Sequence, residues 1–155
     1  MIQEYTVIFL TTQDKVLLGK RKRGLGIGNH VGIGGKVETG ENIRQAAVRE
    51  FREETEVSII SEDLIDSGIV AFYFPHKKGS WDQKVHIFLA NEYKGEPQET
   101  EEVVPIWVRK DTLPLEQMWG DASYWIPQIL DGKKIEAEFI FDQDLKVKGY
   151  IVNLI

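Results

Sequence analysis

"GGKVETGENIRQAAVREFREETEV", residues Gly34 to Val57, decides how the rest of the chain is read. Two glycines open it. Asn42 can cap a helix with Gln45 three residues on, and Ile43, Ala46, Ala47 and Phe51 recur at helical spacing, which predicts a helix over 43–55. At about 100° per residue, Glu53 and Glu54 flank Glu50 around that helix, so three carboxylates share a face. Unpartnered, such a cluster repels itself and destabilises the helix. A hard divalent cation, Mg²⁺ or Mn²⁺, removes the penalty, because it takes oxygen ligands and keeps waters or phosphate oxygens in its shell. The competing account is a solvated charged face, with Arg49/Glu53 and Arg52/Glu56 spaced as i,i+4 pairs.

Before this stretch, "RGLGIGNHVGIGGK" holds so many glycines that it reads as loop and close backbone approach. "YTVIFLTTQDKVLLGKRK" reads as a hairpin or a strand–turn–strand unit, with the break over Thr11 to Lys15. After it, "DSGIVAFYF" and "KVHIFLANEY" read as strands around a Lys/Gly/Ser loop, and "VVPIWVRK" as a further short strand. "SYWIPQILDGKK" predicts a second helix with Pro127 near its first turn and Gly132 as its stop. "IEAEFIFDQ" and "VKGYIVNLI" form a closing pair of strands. With no repeat or linker, residues 1–155 are expected to make one α+β domain in which sheet predominates.

The totals narrow the function. With 42% apolar residues the chain can bury a full core, and a net charge of −6 argues against gripping duplex nucleic acid through a broad basic surface. A small anionic substrate remains open, since local cations override global charge. The absence of cysteine excludes disulfides and thiolate chemistry, and "YTVIFL" is too short for a signal core or a membrane span. The expectation is a cytoplasmic protein with no membrane partner, and a monomer, since nothing demands a second subunit.

Gly35, Glu41 and the run Arg49-Glu50-Phe51-Arg52-Glu53-Glu54-Thr55-Glu56-Val57 resemble the Nudix box, G-x5-E-x7-R-E-U-x-E-E-x-G-U with U apolar. The resemblance implies an α/β/α sandwich around a mixed, mainly antiparallel curved sheet. It implies a Mg²⁺ site, with Mn²⁺ as a substitute, formed by Glu50, Glu53 and Glu54 with the carbonyl of Gly34, and an Arg49–Glu41 pair that orients the ligands.

Beyond the box, "LLGKRKRGLGIGNHVGIGGKV", "VHIF", "ETEEVVPIWV" and "QMWGDASYWIP" are similar to the oxidised-purine nucleoside triphosphatases, the MutT-like 8-oxo-dGTP diphosphatase branch. That similarity implies Arg21 and Lys36 facing the triphosphate, and Glu102 approaching the metal from a loop. It also implies a base pocket formed by Trp119 and Asp121 with Leu25 and Val31. The general base is Glu53 or Glu102.

Each role has a plainer alternative: "KRKR" as a solvated turn, "ETEE" as an acidic loop, Trp119 as a core aromatic, Asp121 as a helix cap. His30, His76 and His86 read as loop and strand residues rather than ligands. Three positions depart from the pattern. Glu56 stands where the box has glycine, which predicts a locally different turn there. Val31 replaces an asparagine that bonds the purine, and Ala122 replaces a second aspartate, which predicts weaker separation of oxidised from ordinary bases. Hydrolysis of another nucleoside di- or triphosphate derivative, and a non-catalytic nucleotide-binding module, are the alternative functions.

Overall fold

The computed structural model describes residues 2–78 and 81–155. The order is β1 (Gln3–Leu10), β2 (Lys15–Arg21), β3 (His30–Val31), β4 (Ile33–Lys36), α1 (Ile43–Thr55), β5 (Ile65–Tyr73), β6 (Gln83–Ala90), β7 (Val103–Arg109), α2 (Ala122–Leu130), β8 (Ile135–Phe141) and β9 (Val147–Leu154). The strands form a six-stranded sheet, β4-β1-β6-β5-β8-β9, and a three-stranded sheet, β3-β2-β7. Within the larger sheet only the β1–β6 and β5–β8 pairs are parallel. The α+β class and the mixed, mainly antiparallel sheet expected from the sequence are thus present. The Lys/Gly/Ser loop expected before β6 falls partly on Gly79 and Ser80, outside the described residues. No helix among the described residues is long and apolar enough to cross a membrane.

Alternation along the first two strands builds two cores. On β1, Ile8 and Leu10 face the layer under α1 with Phe51, while Phe9 faces the layer under α2 with Trp125 and Ile129. On β2, Leu17 joins the first layer and Val16 and Leu18 join the second. A strand buried on both faces reads as a continuous apolar run, as "VIFL" and "KVLL" do.

Of the two readings of the N-terminal pair, strand–turn–strand holds and the hairpin does not. β1 and β2 share only an isolated bridge, Thr11 to Val16, and then enter different sheets. β1 spends its two edges on β4 and β6, and β2 on β3 and β7, so neither has an edge left for the other.

The helices obey local chemistry with two exceptions. Asn42 and Gln45 form the expected reciprocal cap of α1, with Gln45 N donating to Asn42 at 2.9 Å and Asn42 N to Gln45 at 3.1 Å. At the other end Glu56 itself takes the left-handed conformation, φ 64° and ψ 14°, and its N–H donates to Arg52 O at 2.8 Å. The different turn expected there does not occur. Burial of Thr55 and Val57 on either side holds the chain in the conformation that a glycine would adopt without strain. In α2, Pro127 lies in the second turn rather than the first. Pro127 and Ser123, whose carbonyl loses its helical donor, are both exposed, so water can replace the bond. Gly132, at φ 86°, ends the helix as expected.

Candidate active site

The chain brings β4 and α1 together through glycine. Gly34 pairs with Val7 and Gly35 with Thr6. A Cβ on Gly34 would overlap the Thr6 carbonyl, and one on Gly35 would overlap the Glu50 carboxylate. The backbone of β4 therefore lies directly against the acidic face of α1.

The three helical carboxylates occupy graded environments. Glu53 has 59% of its side chain exposed, Glu50 has 16%, and Glu54 is among the buried residues of the helix. Burial pushes the Glu54 carboxyl up to about 8, with the Glu50, Glu102 and Glu53 charges adding and Arg21 opposing. Burial also raises Glu50, against the pull of Arg49. No hydrogen bond reaches the Glu54 carboxylate among the described residues.

Arg49 is the partner the helix needs in this state. Its Nε donates to Glu41 Oε2 at 2.6 Å and its Nη2 to Glu41 Oε1 at 2.9 Å. Its Nη1 reaches Glu50 at 2.9 Å and Glu53 at 3.1 Å, and Nη2 also holds the Lys36 carbonyl at 3.0 Å. These bonds, with the Glu38 backbone N–H, hold Glu41 down at about 2 and raise Arg49 further above its ordinary value. The Arg49–Glu41 pair implied by the resemblance is therefore formed.

The runs "KRKR" and "ETEE" find each other, which sequence reading treated separately. Lys22 Nζ donates to Glu99 at 2.5 Å, and Arg23 pairs with Glu102 and, at 3.7 Å, with Glu101. Registry of β2 with β7 creates these contacts by placing Arg21 opposite Val103. Glu102 is close enough to Glu54 to raise it. Glu50 and Glu53 turn onto Arg49 and Glu102 onto Arg23. Among the described residues no three carboxylates converge closely enough to hold an ion without side-chain rotation.

The donor set nonetheless fits a hard cation. Glu54 is a buried carboxyl that no hydrogen bond reaches among the described residues, and a cation bound against it would offset the cost that burial puts on its ionised form.

Beside the carboxylates opens a cavity of about 340 Å³ lined by Arg21, Leu25, Val31, Trp119 and Asp121, the whole expected base-pocket set together with one residue expected at the phosphates. Arg21 stands at the junction, lining the cavity while its charge is felt by Glu54. The glycine loop touches the far wall: a Cβ on Gly26 would sit 2.9 Å from Trp119 Nε1. Trp119 is half-buried and packs edge-on to Phe141 at 5.9 Å. Asp121 makes no capping bond to α2. It is buried, which raises its carboxyl, and its Oδ2 accepts from Trp125 Nε1 at 2.8 Å. Lys36, at the end of β4, is exposed outside the cavity.

His30, read from sequence as a mere strand or loop residue, does lie on β3 and yet lines the cavity. Its signal was its place one residue before Val31 in a strand of two. His86, half-buried on β6, instead bonds Glu4 at 2.9 Å.

Comparison with known proteins agrees with this geometry. The NUDIX domain model matches residues 2–129. The chain is 41% identical to the oxidized purine nucleoside triphosphate hydrolase of Mus musculus, over 90% of this chain and 88% of the mouse protein. It is also 41% identical to the protein of the same name from Danio rerio, over 88% and 85%. The crystal structure of a MutT protein from Bacillus halodurans superposes with a TM-score of 0.82 at 26% identity, covering 98% of each chain. Proteins of this kind generally use divalent cations. The box, the sandwich and the carboxylate helix thus have one explanation: the chain belongs to the Nudix hydrolase family.

Proposed function

We propose that this protein is a Mg²⁺-dependent nucleoside triphosphate pyrophosphohydrolase that clears oxidised purine nucleotides, converting 8-oxo-dGTP to 8-oxo-dGMP and pyrophosphate. One observation carries the reading: a base-sized cavity walled by Trp119 and Asp121 opens beside the carboxylates of α1, with Arg21 between the two. The 41% identity to the mouse and zebrafish hydrolases supports the substrate class.

Glu50, Glu53 and Glu54, with the Gly34 carbonyl and Glu102, are the residues to hold the cation, and Arg49 with Glu41 to orient them. When bound, Mg²⁺ supplies neutralisation of the phosphate oxygens and a lowered pKa for a reacting water. Glu53 or Glu102 takes the proton of the attacking water, and the variants Glu53→Gln and Glu102→Gln separate the two. Lys36 and the terminal nitrogens of Arg21 stabilise charge on the departing phosphates. Trp119 stacks on the base, while Asp121 offers it the oxygen that Trp125 does not use.

The whole of 1–155 acts as one domain on this reading, because β8 and β9, beyond the matched span, complete the sheet beside β5. A cavity of this size and a net charge of −6 suit a free nucleotide and a cytoplasmic monomer, not duplex nucleic acid or a membrane.

Product analysis tests the reaction. Monophosphate and pyrophosphate should appear in equal amounts with no orthophosphate, in the presence of Mg²⁺. Nucleoside diphosphate with orthophosphate would overturn it.

A further inference from the structure

The last turn of α1 ends in carbonyls that the helix cannot satisfy by itself. The N–H that would close on Glu54 O in a longer helix, that of Ser58, donates instead to Lys94 O at 3.0 Å. The segment before β7 takes its place. Gln98 N donates to Thr55 O at 2.9 Å, and the Thr100 hydroxyl, 46 residues from Glu54, donates to Glu54 O at 2.9 Å.

Gln98 closes the helix end with its backbone alone, but Thr100 does more, because a hydroxyl accepts as well as donates. Its Oγ1 receives the N–H of Glu102 at 3.3 Å. One oxygen atom thus joins the backbone of Glu54 to the backbone of Glu102. Thr100 is itself anchored: its N–H donates to Val103 O at 3.1 Å, and its carbonyl accepts from Lys22 Nζ at 2.9 Å. Glu102 is pinned from its other side, since Lys22 N donates to Glu102 O at 2.9 Å.

These bonds decide what has to move for the two carboxyls to meet. The Glu102 carboxylate is turned onto Arg23, in a pair whose side chains are 38% and 60% exposed. Exposed pairs of this kind contribute little and are given up easily. The backbones of Glu54 and Glu102 are already held, so rotation of the Glu102 side chain is enough. Without the hydroxyl, the 98–102 segment would have to be ordered when the ion arrives, and a ligand set is only as good as the bonds that hold it.

We propose that Thr100 is a positioning residue of the metal site, holding Glu54 and Glu102 at the separation from which both carboxylates close on one cation. The assignment rests on the reading of Glu54 and Glu102 as cation-holding residues given above and names the group that sets their spacing.

The test is Mn²⁺ binding without nucleotide, read from loss of the electron paramagnetic resonance signal of the free ion. Native protein is compared with Thr100→Val, Thr100→Ser, Glu102→Gln and the double variant Thr100→Val/Glu102→Gln. Thr100→Val keeps the size of the side chain but not the hydroxyl, and should weaken Mn²⁺ binding about tenfold. Thr100→Ser restores the hydroxyl and should bind Mn²⁺ like native protein. The double variant should bind no more weakly than Glu102→Gln alone, because spacing has no effect once one of the two carboxylates is gone. Asn42→Ala removes the cap at the opposite end of α1 and should leave Mn²⁺ affinity native, which separates positioning from helix stability.

Native affinity in Thr100→Val or in Glu102→Gln, no restoration by serine, or additive losses in the double variant overturns the assignment. A loss in Asn42→Ala equal to that in Thr100→Val overturns it as well and leaves Thr100 a helix cap. In each of those cases hydrolysis of 8-oxo-dGTP by native protein still upholds the proposed function. Hydrolysis of no nucleotide, with the expected Mn²⁺ pattern intact, overturns the function and upholds the assignment. Should Thr100→Val not fold, Thr100→Ala takes its place in every comparison.

Discussion

Asp121 Oδ2 accepts a 2.8 Å hydrogen bond from the indole Nε1 of Trp125, four residues along and on the same buried face of α2. One carboxylate oxygen is thereby committed to the protein and the other remains for a ligand. Asp121→Asn can keep the indole bond through its amide oxygen, so its melting temperature should stay close to native while turnover of 8-oxo-dGTP falls. Asp121→Ala leaves the indole N–H unpaired and should cost about 1–3 kcal/mol in denaturant unfolding. Unchanged activity of Asp121→Asn across a purine panel would make the residue a support for Trp125 alone.

Glu54 ties stability to pH in the metal-free protein. Its folded value of about 8 lies above the ordinary 4.5, so the folded state holds a proton that the unfolded chain releases. The associated stability is fully present below pH 4.5 and is lost as pH rises through about 8. The loss is on the order of 4–5 kcal/mol. Glu54→Gln should therefore melt progressively higher than native protein as pH is raised from about 5 to about 9 in chelator. It should also abolish Mg²⁺-dependent turnover. A melting difference that does not grow with pH would contradict the buried-carboxylate account.

Glu56→Gly should stabilise the protein by about 1 kcal/mol, because a left-handed residue with a Cβ is strained and glycine is not. Chemical denaturation reads the change, and kcat should not move. Loss of stability instead would mean that the Glu56 side chain contributes more than its backbone costs.

Two glycines in the same loop separate strain from contact. Gly26 has φ 79° and a Cβ there would press on Trp119, whereas Gly28 has φ 89° and open space around it. Alanine at either should cost about 1 kcal/mol of stability. Only Gly26→Ala should raise KM for a purine nucleotide, since only it displaces the indole. Equal KM effects at the two positions would remove Trp119 from the binding wall.

What the sequence determined by itself was local or strictly spaced. The helix over 43–55 was legible because Asn42, Gln45 and the apolar positions lie within a few residues of one another and act through short-range bonds. The acidic face, and the pairing of Arg49 with Glu41 implied by the box, followed from fixed spacing that a rigid helix converts directly into proximity.

The tertiary structure alone decided what depends on distant partners. Sequence leaves β1 and β2 open to pairing as a hairpin or to parting after the turn, and only competition from β4, β6, β3 and β7 for their edges separates them into two sheets. Glu56 is drawn into a glycine-like conformation by packing on both sides of it, which no local propensity announces. The environments of Glu54 and His30 were likewise invisible, since a pKa is set by burial and by charges that folding gathers from separate parts of the chain, such as Arg21 on β2 and Glu102 before β7 around Glu54. Sequence placed the carboxylates on a helix; the sheets placed a cavity beside them.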